Sequence, residues 1–185
     1  MDSMDEQRLI AGCKRGELWA RKEVYQQYSP VMLSLCMRYV ADSDVAKDIL
    51  QDGFVKVLTR MDQFADKGSF GGWIRQVFVN ASLEYLRKQK SLQLNVRMDD
   101  LEDEESLDAL PENVTASDLM ECIAELPNGL RTVFNLYAIE GYSHSEIGKM
   151  LGIQEGSSRS QFTRARQLLQ KKVLNLLKKD YERKR

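Results

Sequence analysis

Apolar residues recur at intervals of three and four residues along most of the chain, and this spacing predicts amphipathic helices. Two stretches show it most clearly, one following residues 42–44 and one following Gly68. Their apolar positions are Ala46, Ile49, Leu50, Phe54, Val57, Leu58 and Met61 in the first stretch, and Phe70, Trp73, Ile74, Val77, Phe78, Ala81 and Tyr85 in the second. Only three prolines occur in 185 residues. We therefore expect an all-α fold.

Proline, serine and glycine residues mark where these helices begin and end. Ser29 and Pro30 supply a cap and a first-turn proline, which predicts that a helix kinks or restarts there. Ser117 is the expected N-cap of a later helix. Asn128 and Gly129 are expected to turn the chain before the next one. The second half is therefore predicted to consist of about four helices.

The stretch from residue 143 to residue 166 has the pattern of a helix-turn-helix. Ser143 and Glu146 are spaced as a capping box, which opens a helix. Gly148 leaves room for a close helix contact, and Gly152 can take the left-handed conformation that ends a helix. The second helix is expected to direct inward its apolar positions Phe162, Ala165 and Leu169.

The outward face of that second helix is polar and basic. It carries Arg159, Ser160, Thr163, Arg164 and Gln167. Such a face suits a helix that enters a DNA major groove. It is equally expected of an ordinary helical hairpin with a solvated cationic surface. The stretch by itself leaves both interpretations open.

Formal charge is unevenly distributed along the chain. Residues 97–130 carry eleven acidic residues and one basic residue, whereas residues 131–185 carry twelve basic and five acidic ones. The acidic segment repels itself and is expected to be a solvated linker; a segment that imitates nucleic-acid charge is the alternative. The basic end favours a polyanionic partner. We place helical domains at 4–90 and 117–182, joined by a flexible acidic linker at 91–116.

Two surfaces of the first domain each allow two interpretations. The face opposite the first apolar stripe is either solvated or a docking surface for a protein, and it holds Asp48, Gln51, Asp52, Val55 and Lys56. Along residues 64–90, aromatic residues lie close in sequence to basic and amide side chains. Most of those aromatic residues are expected in the core. Aromatic and basic groups together can also stack splayed bases and hold phosphates.

The composition excludes several classes of protein. No run approaches the ~20 apolar residues of a membrane span, and the first residues lack the basic and apolar regions of a signal peptide. Cys13, Cys36 and Cys122 occupy apolar helical positions and are expected to be reduced core residues. His144 is the one histidine, so we expect no metal site, no cofactor and no enzymatic activity on a small-molecule substrate. The expected location is the cytoplasm.

Together these segments resemble the extracytoplasmic-function (ECF) sigma factors, small two-domain initiation factors of bacterial transcription. The first half resembles region two of that family through residues 48–57 (DILQDGFVKV) and through residues 70–75 (FGGWIR) running on to Asn80. The second half resembles region four through residues 126–127 (LP), 141–143 (GYS), 146–147 (EI) and 164–166 (RAR). The resemblance covers nearly the whole chain. Both sets of motifs in this order, with an acidic linker between them, are highly specific.

The resemblance implies a function and assigns roles to residues. The family gives core RNA polymerase its promoter choice and is commonly inhibited by an anti-sigma factor, so the implied partners are core RNA polymerase, promoter DNA and an anti-sigma factor. Polymerase docking is implied for Asp48, Gln51, Asp52 and Val55. Capture and backbone contact of the melted minus-ten element are implied for Phe64, Lys67, Trp73, Arg75, Asn80, Arg87 and Lys88. Reading of the minus-thirty-five duplex is implied for Arg159, Ser160, Thr163, Arg164 and Arg166.

The chain departs from the family at Gln154, Ser157 and Ser158. The family usually has a short capping residue at the first of these positions, and threonine and valine at the other two. We therefore expect a poorly capped and under-packed recognition helix. The competing hypotheses are a helical adaptor and a free-standing helix-turn-helix regulator, which would normally dimerise on a palindromic operator. Co-purification with core polymerase would separate that regulator from a sigma factor.

Overall fold

The computed structural model describes residues 3–64, 68–89 and 114–183, with side chains described from residue 5 to residue 177 within those ranges. Every regular element there is a helix, which confirms the all-α prediction. The chain forms two compact units, Met1–Gln89 and Lys90–Arg185. The α-helices are α1 (Ser3–Lys14), α2 (Leu18–Val40), α3 (Ser43–Thr59), α4 (Phe70–Lys88), α5 (Ala116–Ala124), α6 (Asn128–Phe134), α7 (His144–Leu151) and α8 (Glu155–Arg183). A 3₁₀ turn at Met61–Gln63 follows α3, and a π-helical turn at Asn135–Ile139 continues α6.

In the first unit, α2, α3 and α4 pack on one another and α1 packs against α2. Aromatic rings join the three helices: Phe54 lies 4.8 Å from Tyr25 and 5.1 Å from Phe78, measured between ring centroids. Gly53 permits this approach, because a β-carbon there would lie 2.2 Å from Cε1 of Phe78. Any larger residue at position 53 would force the buried Phe78 ring or the helix packing to shift.

Of the two alternatives predicted at Ser29 and Pro30, a kink or a restart, the restart is wrong, because α2 continues through both residues. An interior proline removes one backbone hydrogen bond and costs about 3 kcal/mol. The buried side of α2 is occupied on both sides of the proline, by Val24 before it and by Met32 and Leu35 after it. Burial of that continuous stripe against α3 and α4 outweighs the loss of the hydrogen bond.

In the second unit, α8 is the central element, because α5, α6 and α7 each pack against it. Two clusters of buried residues line its inner side. They are Cys122, Ile123, Leu169 and Val173, and Leu126, Leu130 and Ala165. Arg131 is also buried, and its guanidinium donates to the carbonyl oxygens of Ala124 and Leu126. It thereby satisfies groups that the end of α5 leaves without a helical partner.

Two predicted boundaries in this unit are corrected. Thr115, not Ser117, caps α5, because Asp118 lies three residues after Thr115 and completes a reciprocal capping box. The residue three positions after Ser117 is Met120, which has no carboxylate to return the hydrogen bond. Asn128 begins α6 and does not form a separate turn. The predicted linker lies outside the described residues up to position 113.

The described parts of the chain contain no group of three or more histidine, cysteine, aspartate or glutamate side chains arranged to hold a metal ion. The three cysteines are free thiols in the core. Burial raises the pKa of the Cys36 thiol to about 11, so this residue is a thiol and not a nucleophilic thiolate at neutral pH. No helix within the described ranges is both long and apolar enough to cross a membrane.

Candidate nucleic-acid interface

Helices α7 and α8 form the predicted helix-turn-helix, joined through residues 152–154. At the start of α7 the Ser143 backbone N–H donates to the Glu146 carboxylate at 2.8 Å, and the Glu146 backbone N–H donates to the Ser143 hydroxyl at 3.3 Å. Gly152 ends the helix in the left-handed conformation with φ 69°. These three residues place the capping box and the turn where the sequence predicted them.

Gly148 brings the turn close to α7. A β-carbon at this position would lie 2.8 Å from the carbonyl oxygen of Ile153, while the Ile153 N–H donates to the Gly148 carbonyl at 3.0 Å. The nearest atoms belong to the backbone of the turn, and the backbone nitrogen of Glu155, the first residue of α8, would lie 3.6 Å from that β-carbon. This contact leaves little freedom in the relative orientation of α7 and α8.

His144 packs against Ser158, one of the positions at which the sequence predicted an under-packed recognition helix. The Nδ1 atom of its ring lies 3.0 Å from the hydroxyl of Ser158, and Ser158 is fully buried. The ring stacks on Tyr137 at 4.1 Å between centroids and lies 5.8 Å from Phe162. The expectation of a poorly packed recognition helix is therefore wrong, because a polar pair and two aromatic rings replace the apolar contact.

Burial lowers the pKa of His144 below its usual value, and the neighbouring Arg159 guanidinium lowers it further. The imidazole is therefore neutral at physiological pH. A neutral ring can pair with the Ser158 hydroxyl without a counter-ion. The connection between α7 and α8 thus rests on a neutral hydrogen bond in the unit's interior.

The two sides of α8 differ sharply in burial. Ser158, Gln161, Ala165 and Leu169 are buried on the inner side. The residues predicted to read the minus-thirty-five element, or upstream element, occupy the other side. Of these, Arg159, Ser160, Thr163 and Arg166 are exposed and Arg164 is half-buried. At 100° per residue, these five residues fall within less than half of the helix circumference. The structure therefore brings all five together on one face of the second helix of the helix-turn-helix.

Arg159, a member of this face, forms an ion pair inside the helix-turn-helix. Its side chain is 64% exposed and lies 2.6 Å from the carboxylate of Glu155, one turn earlier. The hydroxyls of Ser160 and Thr163 donate to carbonyl oxygens of their own helix, at 3.0 and 3.1 Å. Their oxygen lone pairs are the groups that these two side chains can offer to a base or a phosphate.

The residues of α4 that are predicted to contact the minus-ten element, or downstream element, lie on two different faces. Trp73, Asn80 and Arg87 are seven residues apart, and seven residues make almost two helical turns, so they form one line along the helix. Asn80 and Arg87 are exposed, and Trp73 is half-buried. Arg75 is half-buried and lies near the opposite side of α4. The geometry therefore groups the first three and separates Arg75 from them.

Phe64 and Lys67 differ from the rest of the downstream set. Phe64 is only 4% exposed, and its ring lies 5.4 Å from Phe70 and 5.6 Å from Trp73 between centroids. The Lys14 ammonium donates to the Phe64 carbonyl at 3.2 Å, so α1 secures this residue as well. Phe64 is thus a core residue that supports Trp73 from behind. Lys67 lies outside the described residues.

Lys88, at the end of α4, shares a carboxylate with α3. Glu84 accepts from Lys56 at 2.7 Å and from Lys88 at 2.9 Å. The hydrogen bond from Lys56, followed by that from Lys88, lowers the pKa of the Glu84 carboxyl to about 2. Its stability contribution is modest, because the Glu84 side chain is 46% exposed and solvent screens the pair. The cluster nevertheless connects α3, which bears the predicted docking face, to α4.

The predicted docking residues lie together on α3. Asp48, Gln51, Asp52 and Val55 are all exposed, and their spacing of three and four residues places them on one face. Val55 is 61% exposed. An apolar side chain beside two carboxylates on an exposed face offers both contact area and charge to a partner protein.

Sequence reasoning missed Glu155 and Glu84 as members of these surfaces. Glu155 precedes Arg159 by four residues, a spacing that favours an ion pair on a helix, so the signal was present. Glu84 and Lys56 are 28 residues apart, and only the packing of α3 against α4 pairs them. Ser158 was identified as a departure from the family, but its partner His144 was not.

Comparison with known proteins identifies the two units. The chain matches the family Sigma-70 region 2 over residues 24–92 and the family Sigma-70, region 4 over residues 116–169. These are the two regions that the motifs on α3, α4 and the helix-turn-helix resemble. A protein that carries both regions in this order is a sigma factor of the Sigma-70 class.

Full-length relatives and solved structures narrow this class. The ECF RNA polymerase sigma-E factor of Escherichia coli is 29% identical over 96% of this chain and 99% of its own, and that of Haemophilus influenzae is 27% identical over 95% and 99%. The sigma factor RpoE of Bartonella quintana, in complex with the anti-sigma factor NepR, shares the fold with a TM-score of 0.53 at 20% identity, over 82% of this chain and 95% of its own. CnrH, in complex with the cytosolic domain of CnrY, aligns over 95% of this chain and 98% of its own with a TM-score of 0.50 at 19% identity. The chain belongs to the ECF sigma factors, which direct promoter-specific transcription.

Proposed function

We propose that this sigma factor binds core RNA polymerase and reads its promoter at two places, the minus-thirty-five element as duplex and the minus-ten element as a melted strand. The exposed face of α8 reads the upstream element. The exposed line on α4, together with the segment that follows Phe64 in the sequence, captures the downstream element. The exposed face of α3 docks on the polymerase. An anti-sigma factor is a further proposed partner, because the similar fold of RpoE was crystallised with NepR.

The observation that carries this proposal is the two-sided character of α8. Arg159, Arg164 and Arg166 share the outer face of a helix whose inner face is closed by Ser158, Ala165 and Leu169. A helix fixed in this way can insert its outer face into a major groove without exposing core residues. Phosphate contacts then provide affinity, and arginine contacts to guanine O6 and N7 provide sequence preference.

The proposal for the downstream element rests on Asn80. Its amide is exposed between Trp73 and Arg87 on the same line of α4. An amide can donate to and accept from a base edge that is no longer paired, an aromatic ring can stack on the base, and a guanidinium can hold the strand's phosphate. Capture of an unstacked base lowers the free energy of the open duplex and so favours melting.

Transcription assays with the full chain and core polymerase test the proposal. Arg164→Ala is expected to reduce the preference for one base of the upstream element by roughly 1–3 kcal/mol of discrimination. Binding to core polymerase should not weaken. Lys171→Ala is the matched control on the same helix, and it should weaken binding about equally on all sequences. Loss of core binding in Arg164→Ala, or loss of preference in the control, would contradict the assignment of α8.

A second experiment separates the two promoter elements. Asn80→Ala is expected to slow promoter melting, observed as delayed permanganate reactivity of the minus-ten thymines. Binding to the upstream duplex should be unchanged, because α8 is in the other unit. Asp62→Ala is the control, since its exposed side chain lies outside α4. An Asn80→Ala protein that melts the promoter at the normal rate would exclude Asn80 from base capture.

A further inference from the structure

The ion pair between Glu155 and Arg159 uses one defined edge of the guanidinium. A single carboxylate oxygen, Oε1 of Glu155, accepts from Nε at 3.2 Å and from Nη2 at 2.6 Å. Nε and Nη2 form the side edge of the planar group, and its five N–H donors have fixed directions. The end edge, formed by Nη1 and the second hydrogen of Nη2, is not used by this carboxylate.

That remaining edge is the one suited to base recognition. Two parallel N–H donors at the end of a guanidinium match O6 and N7 of guanine in the major groove. The same fork also matches a phosphate, so an unrestrained arginine discriminates poorly between a base and the backbone. Fixing the side edge limits the directions in which the end edge can point.

We propose that Glu155 is a specificity-determining residue that positions Arg159 for a guanine of the upstream element and disfavours its use on phosphates. This inference rests on the proposed reading of the upstream duplex by α8. Glu155 is the first residue of α8 and belongs to the same exposed surface as Arg159. Its carboxylate therefore places a negative charge beside the arginine that is closest to the start of the helix.

The size of the effect follows from two opposing terms. In water an exposed pair of this kind is weak, and both side chains are about half exposed or more, at 47% and 64%. When the groove covers the pair, water leaves and the attraction between the charges strengthens. Holding one long side chain in place before binding is worth about two- to tenfold in affinity. The carboxylate also repels the phosphate backbone, so its removal should increase non-specific binding.

The test uses the full chain with core polymerase and a promoter set in which each upstream base pair is replaced in turn. Glu155→Ala is expected to reduce preference about two- to tenfold at the same base pair that Arg159→Ala affects, while binding to unrelated duplex DNA stays equal or becomes tighter. Glu155→Gln keeps an acceptor oxygen without the charge, and it should retain more of the preference. Glu121→Gln, which removes an exposed carboxylate from α5, is the charge-matched control and should leave the preference unchanged.

The double variant separates positioning from direct reading. If Glu155 acts through Arg159, then adding Glu155→Ala to Arg159→Ala should cause no further loss of preference. A loss that persists in the Arg159→Ala background would show that Glu155 contacts a base itself, for example a cytosine amino group, and would overturn the proposal. An equal loss on all sequences would also overturn it, because that result indicates a structural role.

The failure of this inference differs from the failure of the proposed function. If Arg159→Ala changes base preference and Glu155→Ala does not, only the role of Glu155 is wrong. If neither Arg159→Ala nor Arg164→Ala changes base preference at any position, the reading of the upstream element by α8 is wrong, and the role of Glu155 fails with it.

Discussion

Acidification from pH 7.0 to pH 5.5 is expected to destabilise the second unit through His144. This residue is 8% exposed, its ring stacks on Tyr137, and Nδ1 pairs with the Ser158 hydroxyl. Burial, followed by the charge of Arg159, lowers its pKa below the ordinary value of 6.5. In the unfolded chain the ordinary pKa returns, so the unfolded state binds a proton more readily than the folded state.

The sign and the limit of the effect follow from linkage. A lowered histidine pKa contributes stability that is fully present above pH 6.5 and is lost as the pH falls toward the folded-state pKa. If the folded state takes up no proton in this range, the free energy of unfolding falls by at most about 1.3 kcal/mol between pH 7.0 and pH 5.5. With a urea slope of about 1 kcal/mol per molar for a unit of this size, the midpoint moves by at most about 1.3 M.

Two measurements check this prediction on the full chain. His144 is the only histidine in the sequence, so a proton NMR titration of the imidazole yields one signal and one pKa. Urea unfolding, followed through amide resonances of α7 and α8, reports the stability of the second unit alone. The midpoint should be lower at pH 5.5 than at pH 7.0.

A neutral substitution supplies the control. His144→Asn offers an amide group to the Ser158 hydroxyl but does not titrate, so its midpoint should be the same at both pH values, whatever its absolute stability. The reasoning would be refuted by an imidazole pKa at or above 6.5. That result would mean that attraction between the protonated ring and the face of Tyr137 exceeds the cost of burying the charge.

Two further predictions concern packing and charge. Gly148→Ala should lower the free energy of unfolding of the second unit by about 1–2 kcal/mol, because overpacking against the Ile153 carbonyl exceeds the gain in helix propensity. Gly156→Ala, where a β-carbon would meet no atom within 4 Å, should instead be neutral or stabilising in the same urea experiment; equal effects would refute this. Glu84→Gln should cost the first unit only about 0.5 kcal/mol at pH 7 because the pair is solvent-screened. In the unsubstituted chain this contribution is present above pH 4.5 and is lost toward pH 2. If Glu84→Gln lowered the free energy of unfolding by more than about 2 kcal/mol in urea, solvent screening of the pair would be contradicted.

Much of the architecture was predictable because it depends on neighbours in the chain. Helix periodicity, the capping box of Ser143 with Glu146 and the left-handed Gly152 involve residues at most four positions apart. The outer and inner faces of α8 followed from the same periodicity. The family resemblance then supplied the roles of these faces, and which of their residues contact DNA or polymerase stays a prediction.

Other features depend on which helices pack together, and a one-dimensional pattern does not contain that information. Phe64 and Trp73 both belong to an aromatic stretch, yet only Phe64 is buried. Trp73 lies in line with Asn80 because the packing of α4 sets which side of that helix faces the core. Pro30 remains inside α2 because burial along both sides of it outweighs one lost hydrogen bond.

The recognition helix shows the division most clearly. The sequence by itself determined that a helix-turn-helix forms and which arginine residues lie on its outer face, since caps and periodicity are local. Only the tertiary structure decided how that helix is held. Ser158 looked like a packing defect, but the fold places His144, 14 residues away, within hydrogen-bond distance. A buried polar residue is favourable only when a partner reaches it, and the packing of α7 against α8 supplies that partner.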